Sequence, residues 1–213
     1  QMRRSVPLRS PCYYGLKELV ELLGGDYYAY KGLELLIKHS DGIIPPDELD
    51  EELLLLLEGE RLAVPVNSQN DSLAWGMRVV TITSLEIPYF LRFFFSELRK
   101  GKASWENAVK GYFERIGEDG EDAKTMLEIV KRVVETRKGR KGYFISGSEI
   151  TAISEAYGKD GGVVIAELKG AGIISPFSGC GRSVARMETI YGTPLSPIYE
   201  INRFLVKLFL KCR

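Results

Sequence analysis

The side chains able to do chemistry in this chain are mostly cations, and they gather late in it. Arg137, Lys138, Arg140 and Lys141 fall within five residues, Lys159 and Lys169 flank a short apolar segment, and Arg182 and Arg186 follow a glycine-rich stretch. Groups of this kind neutralise phosphate, which supplies affinity without sequence information. Residues 1–130 hold 15 Lys+Arg against 22 Asp+Glu, whereas residues 131–213 hold 14 against 7, so the net charge of zero hides an acidic part and a basic part. That division is expected when only one part meets a polyanion.

Other chemistries are poorly supplied. His39 is the only histidine, and it closes an apolar-periodic segment, where an imidazole caps backbone carbonyls. Cys12, Cys180 and Cys212 are odd in number and far apart, which is the expectation for thiols in a reducing, cytoplasmic compartment and offers no zinc-ligand spacing. Cys180 reads as a loop cysteine. No phosphate-binding loop, nucleophile elbow or dinucleotide fingerprint is present. The expectation is a non-enzymatic protein with no cofactor and no metal. Its longest aliphatic run, residues 53–57, is far too short to span a bilayer, no signal-peptide pattern opens the chain, and no membrane association is expected.

The elements that would position these cations follow from periodicity and punctuation. Residues 16–23 and 30–39 read as helices ended by glycine, and a third helix begins at Asp47 with acids crowding its first turns. Residues 61–66 and 75–83 read as a hairpin. Residues 89–100 are apolar nearly all round, so they are either core or a contact surface. Ser104 suits the cap of an amphipathic helix at 105–116, and a further helix covers 121–138. Ser146 and Glu149 then form a capping box, Gly158 a left-handed helix end, and Gly161-Gly162 a sharp turn before a helix at 163–169. A strand at 172–177, a glycine-rich tip, a strand at 197–201 and a terminal helix capped by Asn202 complete the chain.

The helix, short strand, capped helix, glycine turn, second helix and hairpin over residues 121–213 resemble the winged-helix (winged helix-turn-helix) superfamily. The expected fold class is mainly α with small β-hairpins (α+β), with a carboxy-terminal winged helix at 121–213. An acidic domain at 1–100, a candidate degenerate copy of the same module, is joined to it by a connecting helix and loop at 101–120. The resemblance implies that the helix at 163–169 enters the major groove and that the wing touches phosphate. That helix carries no Arg, Asn or Gln to read a base. Contacts would therefore come from Arg137, Lys138, Arg140, Lys141, Lys159, Lys169, Arg182 and Arg186 to the backbone of duplex DNA, as in a transcription regulator. The alternative is a scaffold or subunit of a larger complex that never touches nucleic acid. In either case the apolar amino-terminal region is a candidate contact for a protein partner or a second copy.

Overall fold

The computed structural model describes residues 10–66, 84–138, 142–177 and 196–213. Across them the chain runs through one order of elements twice. The first pass is β1 (Tyr13–Gly15), α1 (Leu16–Leu22), α2 (Tyr27–Lys38), β2 (Ile43–Ile44), a 3-10 turn (Pro46–Glu48), α3 (Glu51–Gly59), β3 (Val64–Pro65), β4 (Leu85–Glu86) and α4 (Tyr89–Leu98). The second is β5 (Lys102–Ser104), α5 (Trp105–Arg115), α6 (Gly120–Thr136), β6 (Phe144–Ser146), α7 (Gly147–Ala156), α8 (Gly161–Gly170), β7 (Ile174–Pro176), β8 (Ile198–Ile201) and α9 (Arg203–Lys211). The fold is thus α+β, helices with small antiparallel sheets. The three-stranded sheets share one order, β2-β4-β3 and β6-β8-β7.

Strand register aligns the two passes residue by residue. Glu86 faces Ile43 and Val64, as Glu200 faces Phe144 and Ser175, so Glu86 and Glu200 are equivalent. From there Ile87, Phe90, Leu91 and Phe95 match Ile201, Phe204, Leu205 and Phe209 in type and spacing, and Pro65 matches Pro176. β1 and β5 pair antiparallel about Tyr14 and Ala103, as equivalent strands do across a two-fold.

The contacts between the repeats are reciprocal. The N–H of Phe90, in the open first turn of α4, donates to the carbonyl of Ala171 just beyond α8 at 3.1 Å. The N–H of Phe204, in the first turn of α9, donates to the carbonyl of Glu60 just beyond α3 at 3.2 Å. Each repeat thereby satisfies a donor that the other leaves free at a helix start. Between them Phe94 and Phe95 of α4 pack on Phe204 of α9, with centroids 5.8 and 6.2 Å apart, and all three are fully buried. The aromatic helix is core, contributing about 1.5–3 kcal/mol per buried ring. Of residues 53–57, Leu53, Leu54 and Leu57 are also core and Leu55 is exposed.

Several boundaries differ from the sequence expectation, each for a local reason. α2 starts at Tyr27 because the Asp26 carboxylate accepts from the N–H of Ala29. α3 starts at Glu51, because Leu49 is extended and Asp50 caps Leu53, which confines Asp47 to the 3-10 turn. Gly161-Gly162 belong to α8, whose cap is Asp160. A Cβ at Gly161 would stand 2.6 Å from Thr151, so glycine there lets α7 and α8 approach closely. Gly158 has the left-handed φ of 75° expected of it, and the Ser146–Glu149 capping box is present. Residues 75–83, expected as a strand, lie outside the described residues, and the described partner of β3 is β4. α5, expected within a connecting segment, is the second repeat's counterpart of α1.

Candidate functional site

The expected contacts to duplex DNA come from the wing, the chain before α7 and the lysines that flank α8, and four of these eight cations lie among the described residues. The Arg137 guanidinium caps the carbonyl of Val134 at 2.7 Å and lies 6.0 Å from the Phe209 ring centre. Lys138 pairs with Glu149. Burial pushes the Glu149 carboxyl up, but hydrogen bonds from Lys138 and Ser146 outweigh it and hold the group below the ordinary carboxylate range. Lys159 sits between Glu118 at 3.3 Å and Asp122 at 3.0 Å. Desolvation opposes its charge, yet those two carboxylates raise its pKa. Lys169, half-buried in the last turn of α8, makes no ion pair among the described residues. Arg140, Lys141, Arg182 and Arg186 lie outside the described residues.

The outward face of α8 is apolar. Val164 and Leu168 point into the core, while Gly162, Val163 and Ala166 are exposed, Val163 to 54%. Beside them, one turn on from Val163, the half-buried Glu167 has its carboxyl pushed above the ordinary range, first by desolvation and then by Glu118, with Lys159 opposing.

A buried polar junction, which the sequence did not signal, fastens α3 to α9. Arg61 is 7% exposed and holds φ at 58°, a left-handed conformation unusual for a residue with a Cβ. Its fork reaches Glu200 through Nε–Oε1 and Nη2–Oε2 contacts of 3.2 Å each, and Nη1 donates to the Glu58 carbonyl at 2.9 Å. Glu200, 2% exposed, also accepts from Arg203 Nε at 2.7 Å. Asn202, which caps α9 as expected, uses its amide to donate to the Arg61 carbonyl at 2.8 Å. The only precursor in the sequence is a basic residue following a helix, which alone says nothing about a partner far along the chain.

The remaining candidates resolve into structural roles. The His39 imidazole meets Glu48 at 2.9 Å rather than capping carbonyls. Lys38, through its hydrogen bond, is the main cause that holds Glu48 below the ordinary carboxylate range. Cys12 and Cys212, read from spacing as separate thiols, form a disulfide with Cα atoms 6.0 Å apart. Two hundred residues of sequence separation vanish because β1 and the end of α9 meet. The Glu106 carboxylate lies within 4.8 Å of both sulfurs, but a disulfide lacks the thiolates a metal would need. A cleft of about 590 Å³ between α4 and α5 is lined by Tyr89, Arg92, Phe93, Tyr112, Arg115 and Ile116. The Arg92 guanidinium lies 4.1 Å from the Tyr89 ring centre. These lining residues include no nucleophile paired with a base.

Fold and surfaces together define an α+β protein with a duplicated order of elements and a buried ionic junction between the repeats. One protein-family model, which carries no assigned function, matches residues 17–211, and the chain belongs to that family. No curated protein and no solved structure matches the chain. Among the described residues no helix is long and apolar enough to cross a membrane.

Proposed function

We propose that this chain is a non-catalytic interaction scaffold made of two winged-helix-like modules, with the exposed face of α8 as its contact surface for a protein partner. The sheet order β2-β4-β3 and β6-β8-β7, with a helix between first and second strands in each, supports the winged-helix reading. The observation that carries the interaction reading is the outer face of α8. Gly162, Val163 and Ala166 offer apolar contact and no hydrogen bond to a base edge, while Lys138 and Lys159 are already neutralised by acids. In the amino-terminal module α3 carries Glu51 and Glu52 in its first turn, which repels phosphate, and its exposed Leu55, with Tyr27 and Tyr30 of α2, suits a protein partner or second copy.

A second reading, a transcription regulator gripping duplex DNA by its phosphates, is favoured by Lys169 at the end of α8 and by the basic bias of residues 131–213. A titration with mixed-sequence duplex across about 50–200 mM salt separates the two. The scaffold reading expects no salt-dependent binding. Binding whose log K falls with log salt and weakens in Lys169→Ala would overturn it. Placement in the cytoplasm is part of the proposal, and it requires the Cys12–Cys212 pair to survive cellular thiols; trapping the thiols in intact cells would report its state.

A further inference from the structure

One of the differences between the repeats at buried positions goes with a carboxylate oxygen that has no hydrogen-bond partner. In the second repeat Glu200 is gripped by Arg61, the residue that leaves α3 with left-handed φ. The equivalent exit from α8 is Gly172, left-handed at φ 75° and without a side chain. Phe90 contacts Ala171 as Phe204 contacts Glu60, so Gly172 stands toward Glu86 as Arg61 stands toward Glu200. Glu86 is 6% exposed, and its Oε1 is buried with no hydrogen-bond partner.

We propose that Glu86 anchors a guanidinium-binding site, in which an incoming guanidinium takes the place that Arg61 fills in the other repeat. Arg92 pairs loosely with the other oxygen, Oε2, and leaves Oε1 unmet. Its Nη2 lies 3.8 Å from Oε2, while its Nε is committed to the Ile87 carbonyl at 2.8 Å. A buried carboxylate with one oxygen unpartnered suits a guanidinium better than a metal ion. The planar fork matches both oxygens at once, whereas a hard cation needs several oxygen ligands. The α4–α5 cleft, whose wall includes Arg92, comes within one side chain of Glu86. Arg92 and Arg115 oppose a second cation there, so the affinity must come from the buried carboxylate. The guanidinium can belong to a free small molecule or to an arginine of a protein partner. Its capture at Glu86 does not depend on the outer face of α8.

The test is calorimetric titration of the full chain with agmatine and, separately, with a capped Gly-Arg-Gly peptide. Binding of at least one probe is expected, weakened at least about tenfold in Glu86→Gln, which keeps shape and removes charge. Agmatine alone binding points to a small ligand, and peptide binding to a partner's arginine; either supports the site. Gly172→Arg places a tethered guanidinium where Arg61 sits in the other repeat, so it should abolish probe binding. No binding of either probe, equal affinity in Glu86→Gln, or undiminished binding in a folded Gly172→Arg variant would overturn the proposal.

Discussion

Replacing Arg61 with alanine removes the main partner of a carboxylate that is 2% exposed, and the size of the loss can be worked from the contacts. Breaking a buried ion pair from one side costs about 3–5 kcal/mol, because the remaining charge is stranded. Here Arg203 still donates to Glu200 at 2.7 Å, so the lower end, about 3 kcal/mol, is expected. Arg61→Gly makes the same electrostatic loss but relieves left-handed strain of about 1–2 kcal/mol. Glycine's looser unfolded chain takes back about 0.4–1 kcal/mol. The glycine variant should therefore be the more stable of the two by about 0.5–1 kcal/mol. Urea unfolding followed by tryptophan fluorescence checks both, and with a slope of roughly 2–3 kcal/mol/M the alanine midpoint should fall by about 1 M. Adding Glu200→Gln to Arg61→Ala should cost less than the two single losses together, since the stranded charge is gone. An alanine loss below about 1 kcal/mol, an alanine variant more stable than the glycine one, or simple additivity would refute the reasoning.

Two further outcomes follow from groups already placed. The Glu167 carboxyl is pushed up in the fold, so the protonated form is favoured and the associated stability is lost as pH rises through the raised value. Glu167→Gln should then raise Tm at pH 7 by the equivalent of up to about 1 kcal/mol. The gain should disappear below about pH 4, and a gain that persists there would mean that packing, not charge, is responsible. The Cys12–Cys212 disulfide closes a loop of sequence separation 200. Chain entropy caps its contribution near 5 kcal/mol, with about 2–4 typical. Reduction, or Cys12→Ser, should lower the urea midpoint, and an unmoved midpoint would show that packing alone holds the chain ends together.

The parts of this fold that were legible in the sequence are those decided locally. Ser146 with Glu149, Gly158, Ser104 and Asn202 each act within about one helical turn, and each takes the expected role. The repeat was legible as an order of elements but not as an alignment, because the shared residues are few and register is fixed by strand pairing. Glu86 and Glu200 become equivalent only once their cross-strand partners are known. The ion pairs at Lys138 and Lys159 were hidden for a related reason. Lys159 meets Glu118 and Asp122, about forty residues upstream, and no periodicity encodes such a meeting. Cysteine spacing misled in the same way, since distance along a chain says little about distance across a fold in which β1 lies against α9.

The reciprocal contacts between repeats also bear on what a single chain can do that a pair of identical subunits cannot. In a two-fold homodimer of one repeat, any substitution at the junction would appear on both sides, so two arginine forks or two bare glycines would be the only options. Joining both repeats in one polypeptide lifts that constraint. One junction keeps the fork at Arg61, the other carries Gly172 opposite Glu86. The fork at Arg61 and the bare Gly172 are thus two occupants of equivalent positions, possible only because covalent linkage gives each half its own sequence.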